Sequence, residues 1–199
     1  MDIEDKAKLL SLYQTRFKEL GHDVRAIGWN DKATQELRFK VLCDIADLSG
    51  SSICDIGCGF GDLYPYLKNR FGTVSYKGID IVPEFVAKAK ELNPECAFEC
   101  LDILENRFEE PFDFFVASGA LSFKIKDNMT HAKNIISKMF ECSKKGVSIN
   151  FLSSYVNYQL ERNYHYQPEV LFSFAKSLSK RVTLRHDYPL WEFTLYIYR

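Results

Sequence analysis

Apolar positions along this chain change period several times, and each change marks an element. Leu9, Leu10, Tyr13, Phe17 and Leu20 recur at helical spacing, and Gly21 falls just past the last of them, where a C-cap is expected. Leu37, Val41, Leu42 and Ile45 give a second helical face. After Gly50-Ser51-Ser52 the period breaks. Ile53 to Ile56 is a short apolar run entering Gly57-Cys58-Gly59-Phe60-Gly61, as a buried strand running into a glycine turn would. Leu63, Leu67 and Phe71 then resume helical spacing, with Pro65 in the first turn, where its missing N–H is tolerated. The unit repeats. Thr73 to Asp80 reads as a strand, followed by a helix opened by Pro83 with Phe85, Ala89 and Leu92 on one face. Cys96 to Leu101, Phe112 to Ser118 and Val147 to Leu152 read as three more strands. Met129, Ala132, Ile136 and Met139 mark a helix before the last of these, and Pro168, Leu171, Phe174 and Leu178 mark one after it. Arg181 to His186 and Leu190 to Tyr198 alternate and are joined by Asp187-Tyr188-Pro189, a hairpin pattern that sets Trp191, Phe193, Leu195 and Ile197 on one face.

Strands alternating with helices predict an α/β, doubly wound, mostly parallel sheet, and the closing hairpin predicts one antiparallel strand at or near its edge. A length of 199 residues fits a single domain. We divide it into an N-terminal helical lid (1–47), a core (48–152) and a loop, helix and closing hairpin (153–199). Hydrophobic residues make up 46% and charged residues 27%, which excludes disorder and disulfide-scaffold classes. The 26 basic and 27 acidic residues nearly cancel, so no footprint for nucleic acid or an anionic membrane is expected. No apolar run is long enough to span a bilayer, and the acidic start has no signal-peptide core. The expectation is a cytoplasmic protein, monomeric or homodimeric, with its six cysteines reduced. Cys54-x3-Cys58 and Cys96-x3-Cys100 start in strand-like segments and do not follow the usual C-x2-C spacing, so they read as buried thiols, with no metal site expected.

Candidate chemistry concentrates at the ends of successive strands. A nicotinamide-binding turn would read G-x-G-x-x-G, but its third glycine position holds Asp62, and the third glycine falls one early, at Gly61. Asp55 also faces the turn. Two carboxylates there repel a pyrophosphate and suit a cation. Taken alone, Asp62 reads as a helix N-cap. Asp80 ends the second strand 19 residues after Gly61, the place of a ribose-hydroxyl acceptor, and Asp102 ends the third.

The series Asp55-x-Gly57-x-Gly59-x-Gly61, Asp80 and Asp102 resembles the motifs of class I S-adenosylmethionine-dependent methyltransferases. It is closest in kind to small stand-alone bacterial and archaeal members, and it covers roughly residues 30 to 199. The resemblance implies a Rossmann-like sheet of seven strands, with the reversed seventh beside the fifth. It implies S-adenosyl-L-methionine as cofactor, held by Asp55, Gly57, Cys58, Gly59 and Gly61 at its methionine part. Asp80 and Ile81 would hold the ribose, and Asp102 with Ile103 the adenine. Ser118 and Gly119, in Ala117-Ser118-Gly119-Ala120-Leu121, would line the transferred methyl. Gly28-Trp29-Asn30 and Gln35-x-x-Arg38-Phe39 resemble a segment of those small members, where Arg38 would pair with the cofactor carboxylate.

Methyl transfer from a sulfonium needs alignment and exclusion of water more than a catalytic triad. A base helps only a protonated acceptor. His165, in the loop after the fifth strand, is the candidate base. The fourth-strand end lacks the Asn/Asp-Pro-Pro-aromatic signature of methyltransferases acting on nucleic-acid or amide nitrogens, which with the neutral charge points to a small-molecule acceptor. Residues 151–199 hold 12 of the 29 aromatics, and Tyr155, Tyr158, Tyr164 and Tyr166 are candidates for the acceptor wall. A non-catalytic cofactor-binding module is the alternative, and an NAD-dependent oxidoreductase a more remote one.

Overall fold

The computed structural model describes all residues of the chain except 106, 107, 109 and 110. Two helices, α1 (Ile3–Leu20) and α2 (Lys32–Cys43), precede β1 (Ser52–Ile56) and α3 (Leu63–Phe71). The second unit is β2 (Ser75–Asp80) and α4 (Pro83–Leu92). Then follow β3 (Ala97–Cys100), β4 (Phe112–Ala117), α5 (Asn128–Cys142), β5 (Ser143–Leu152), α6 (Pro168–Leu178), β6 (Val182–Arg185) and β7 (Glu192–Tyr198).

The strands form one seven-stranded sheet in the order β3-β2-β1-β4-β5-β7-β6. β7 runs antiparallel between β5 and β6, and β1 to β5 pair parallel. The order reverses at β1, so β1 and β4 leave a crevice at their carboxyl ends, the usual ligand position in such sheets.

Two apolar layers sandwich the sheet. On one face Phe115, Ile149, Phe193, Leu195 and Ile197 pack under α5 and α6 through Ile136, Met139 and Leu171. On the other, Ile53, Tyr76, Phe98 and Phe114 pack under α2, α3 and α4 through Phe39, Leu67 and Ala89. Burying each of the larger aliphatic and phenyl side chains among these contributes about 1.5–3 kcal/mol before entropy is subtracted. A third cluster brings α1 onto the glycine turn. Phe17 and Tyr13 pack on Phe60 and Phe85.

The hairpin differs from its sequence pattern in one respect. Phe193, Leu195 and Ile197 are fully buried, but Trp191 precedes the strand and is 71% exposed. β7 is also buried on its second face, where Thr194 and Tyr196 lie. A strand second from the edge is covered by helices on both sides, so alternation in sequence does not mean one wet face.

Candidate active site

β1 delivers its end to a turn with Gly57 at φ +71°, Gly59 at φ +55° and Gly61 at φ +76°. That left-handed backbone is open to glycine and strained for other residues. Gly57 and Cys58 donate their N–H groups to the carbonyl of Ile79 at the end of β2, at 2.8 and 3.1 Å. Asp80 completes the lock. Its Oδ2 accepts from Gly59 N–H and its Oδ1 from Val82 N–H, each at 2.9 Å. Burial raises the Asp80 carboxyl above its ordinary value, and the backbone N–H groups of Val82, Gly59 and Ile81 oppose that rise without cancelling it.

The cleft in front of this turn encloses about 1020 Å³, including its mouth. All the cofactor residues expected from the sequence line it except Gly61 and Arg38. Gly61 turns toward the sheet instead, where a Cβ would come within 2.7 Å of the Phe98 ring. Its role is close packing of the turn on β3.

Asp55 is buried, and its Oδ2 accepts from the Tyr76 hydroxyl at 2.6 Å. Desolvation raises its pKa to about 7, with Asp80 and Asp62 adding repulsion and the Tyr76 hydrogen bond opposing. A buried acid poised near neutrality ionises readily when a cation arrives. Asp102 accepts from Leu104 N–H at 3.0 Å and faces Lys6 of α1 at 3.5 Å. Ser118 lines the cleft with its Oγ buried and without a hydrogen-bond partner among the described residues. Asp62 occupies the N-cap position of α3 but makes no side-chain cap bond; it accepts from Gln35 at 3.2 Å.

Arg38 does not line the cleft. Its Nε donates to both carboxylate oxygens of Glu192 at 2.8 and 3.0 Å, its Nη2 also donates to Glu192, and its guanidinium stacks over Trp29 at 4.3 Å. Glu192 Oε2 accepts from Asn150 Nδ2 at 3.0 Å, and Asn150 Oδ1 accepts from Gly119 N–H at 2.7 Å. Trp29 closes the ring against Gly119, where a Cβ would lie 2.1 Å from the indole. This buried network borders a second, polar chamber of about 860 Å³, including its mouth. Tyr13, Trp29 and Gly119 line both spaces and form the junction between them.

His165 lines neither space. Its Nδ1 meets the Ser153 carbonyl at 2.8 Å. Among the histidines it is His131, on α5, that borders the cleft, and burial lowers its pKa. Of the four tyrosines expected at an acceptor wall, Tyr166 is in the core, Tyr155 and Tyr158 are exposed, and none lines the chamber. The same loop does line it, through Leu160, Arg162 and Asn163. Sequence reading missed Tyr13, Asn150 and Glu192. The last two sit in strands that read as core, and only their polarity at buried positions marks them.

The chain is similar to known proteins along most of its length. A family described as a methyltransferase domain matches residues 53–146. A Mycobacterium tuberculosis protein named as a candidate methyltransferase is 36% identical over 153 residues, 73% of this chain and 92% of that one. The trans-aconitate 2-methyltransferase of Klebsiella pneumoniae is 28% identical over 99 residues, 50% of this chain but only 39% of that protein. Among solved structures, the Synechocystis magnesium protoporphyrin IX methyltransferase with bound S-adenosylhomocysteine has a TM-score of 0.72 at 16% identity, covering 98% of this chain and 99% of that one. The 1,6-didemethyltoxoflavin-N1-methyltransferase of Burkholderia thailandensis also gives 0.72, at 17% identity, covering 98% and 89%. The structural likenesses carry the fold, and the M. tuberculosis relative carries the family. With acids at three strand ends and a glycine turn between them, the chain belongs to the class I S-adenosylmethionine-dependent methyltransferases.

Proposed function

We propose that this methyltransferase acts on a small-molecule acceptor, admitted through the polar chamber and met at the Tyr13–Trp29–Gly119 junction. The observation that carries this reading is the shared junction: two concave spaces meet at a wall of three residues. Concave sites lined by a few convergent polar groups are the usual places for small-molecule ligands.

The cleft residues fit the cofactor. Asp80 keeps lone pairs beyond its two backbone bonds for a ribose diol. Asp55 suits the ammonium end, and Ser118 Oγ awaits a partner. Gly57 lets the turn pack against Ala120, since a Cβ there would lie 2.6 Å from that side chain. When bound, the cofactor supplies an electrophilic methyl group. The chain supplies alignment and dryness. α1 covers the turn through Phe17 and Tyr13, and its Lys6 ties it to the β3 end through Asp102 at 3.5 Å and Glu105 at 3.0 Å. Burial pushes the Tyr13 phenol up, so at neutral pH its hydroxyl orients an acceptor by hydrogen bonding and does not take a proton.

Titration calorimetry with S-adenosylhomocysteine tests the cofactor half, with saturable binding expected. Incubating the protein with S-adenosylmethionine and a pool of small metabolites tests transfer. The expected result is formation of S-adenosylhomocysteine that depends on the pool. Cofactor binding without any turnover across pools would instead support a binding module.

A further inference from the structure

The cofactor cleft is lined by acids, while the adjoining chamber is lined by cations. Arg16 of α1, Arg38 of α2 and Arg162 of the loop after β5 all line it, and among the described lining residues Glu192 is the one acid. Glu192 is committed to Arg38. Arg16 and Arg162 have no carboxylate within ion-pair distance among the described residues; Arg16 instead flanks the Tyr13 ring at 5.9 Å. Arg38 adds a buried Nη1 with no hydrogen-bond partner among the described residues, in a side chain that is 11% exposed. A buried guanidinium N–H without an acceptor is costly, and an anion in the chamber would satisfy it. Asn150 and Asn163 add side-chain amides to the same lining.

Resting on the methyltransferase reading above, we propose that the acceptor is a small organic acid whose carboxylate is held in this chamber by Arg16 and Arg162, with Arg38 as the buried third donor. Three guanidiniums against one already paired carboxylate leave an excess of positive charge, which a neutral amine or alcohol would not offset. Guanidinium presents paired donors that match the two oxygens of a carboxylate. The charge belongs to the chamber, since the chain as a whole carries a net charge of −1. It is also assembled from three separate elements, so it is not the by-product of one basic helix. Tyr13 stands between Arg16 and the cofactor cleft, placing the anion-holding side one aromatic ring away from the methyl-transfer side.

The test uses the full chain saturated with S-adenosylhomocysteine, titrated calorimetrically at low salt with succinate, citrate and benzoate. Succinamide and benzamide are the neutral counterparts, and inorganic phosphate is the competing anion. At least one acid is expected to bind saturably, about tenfold or more tighter than its amide and than phosphate, and more weakly as salt is added. Arg16→Gln and Arg162→Gln are each expected to weaken the acid about tenfold, and the double variant to abolish binding. Lys18→Gln, an exposed change on the same helix, is expected to leave it unchanged. Arg16 is half-buried and Arg162 exposed, so the variants should fold, and unchanged S-adenosylhomocysteine affinity checks this. Equal binding of acid and amide, tighter binding of phosphate, no binding of any acid, or indifference to both arginines overturns the proposal. Loss of S-adenosylhomocysteine binding by the unaltered protein would instead overturn the cofactor reading.

Discussion

The cofactor cleft and the polar chamber share a wall yet are built in opposite ways. The cleft takes its acids and glycines from consecutive strand ends, and two of those acids, Asp80 and Asp102, are held by neighbouring backbone amides. The chamber draws on α1, α2, the end of β5, the loop after it and the first residue of β7, and it is held by side chains bonding to side chains. A site made from strand ends inherits its geometry from the sheet. A site made from distant side chains depends on a network that one substitution can open.

That difference can be tested by breaking each half. Glu192→Ala is expected to have the largest effect, because it strands the Arg38 charge in the interior. A loss of about 3–5 kcal/mol is anticipated, read as a fall in Tm, with cofactor affinity less affected than stability. On the cleft side, Asp55 gives a pH signature. The unfolded chain ionises this carboxyl around its ordinary value of 3.8, whereas the folded chain keeps it protonated until about 7. The folded state therefore holds the extra proton across that window, and this group's contribution to stability falls as pH rises through it. Asp55→Asn is expected to remove a decline on the order of a few kcal/mol between pH 4 and 7, seen as a Tm difference from the unaltered protein that widens with pH. A constant difference would mean that the carboxylate is paired in the fold.

Asp80→Ala is expected to weaken S-adenosylhomocysteine binding about 100-fold, since it removes both an acceptor and the lock on the Gly59 amide. Asp80→Asn, which keeps one acceptor, should fall between. At the shared wall, Gly119→Ala is expected to cost about 1–3 kcal/mol, because φ is +67° and the indole of Trp29 fills the Cβ position. Its effect should reach both spaces, read as weaker cofactor binding together with altered Trp fluorescence. The smallest effect is expected for Trp191→Ala, within about 0.5 kcal/mol, because this side chain is mostly in solvent.

The cleft was legible because its signals are local. A strand, a glycine turn and an acid about 20 residues on place Gly57, Gly59 and Asp80 without any long-range knowledge, and all three line the cleft. Gly61 belonged to the same motif, but its contact with Phe98 depends on how β3 crosses the turn. Arg38 was expected by resemblance to pair with the cofactor carboxylate, whereas in the structure it pairs with Glu192. Its partner is 154 residues away, and no spacing rule spans that gap. The loop after β5 does line the chamber, but the tyrosines chosen from it point to the core or to solvent, while Arg162 and Asn163 face the chamber.

The sequence by itself determined the alternation of strands and helices, the reversed final strand and the acids at three strand ends. Each follows from apolar period or from a motif contained within a few tens of residues. Only the tertiary structure decided that Glu192 neutralises Arg38, that Trp29 and Tyr13 wall one space from the other, and that Arg16 and Arg162 converge on a common chamber. Such convergence is set by the docking of α1 and α2 over the sheet, which depends on packed surfaces from the whole chain and leaves no periodic trace along it.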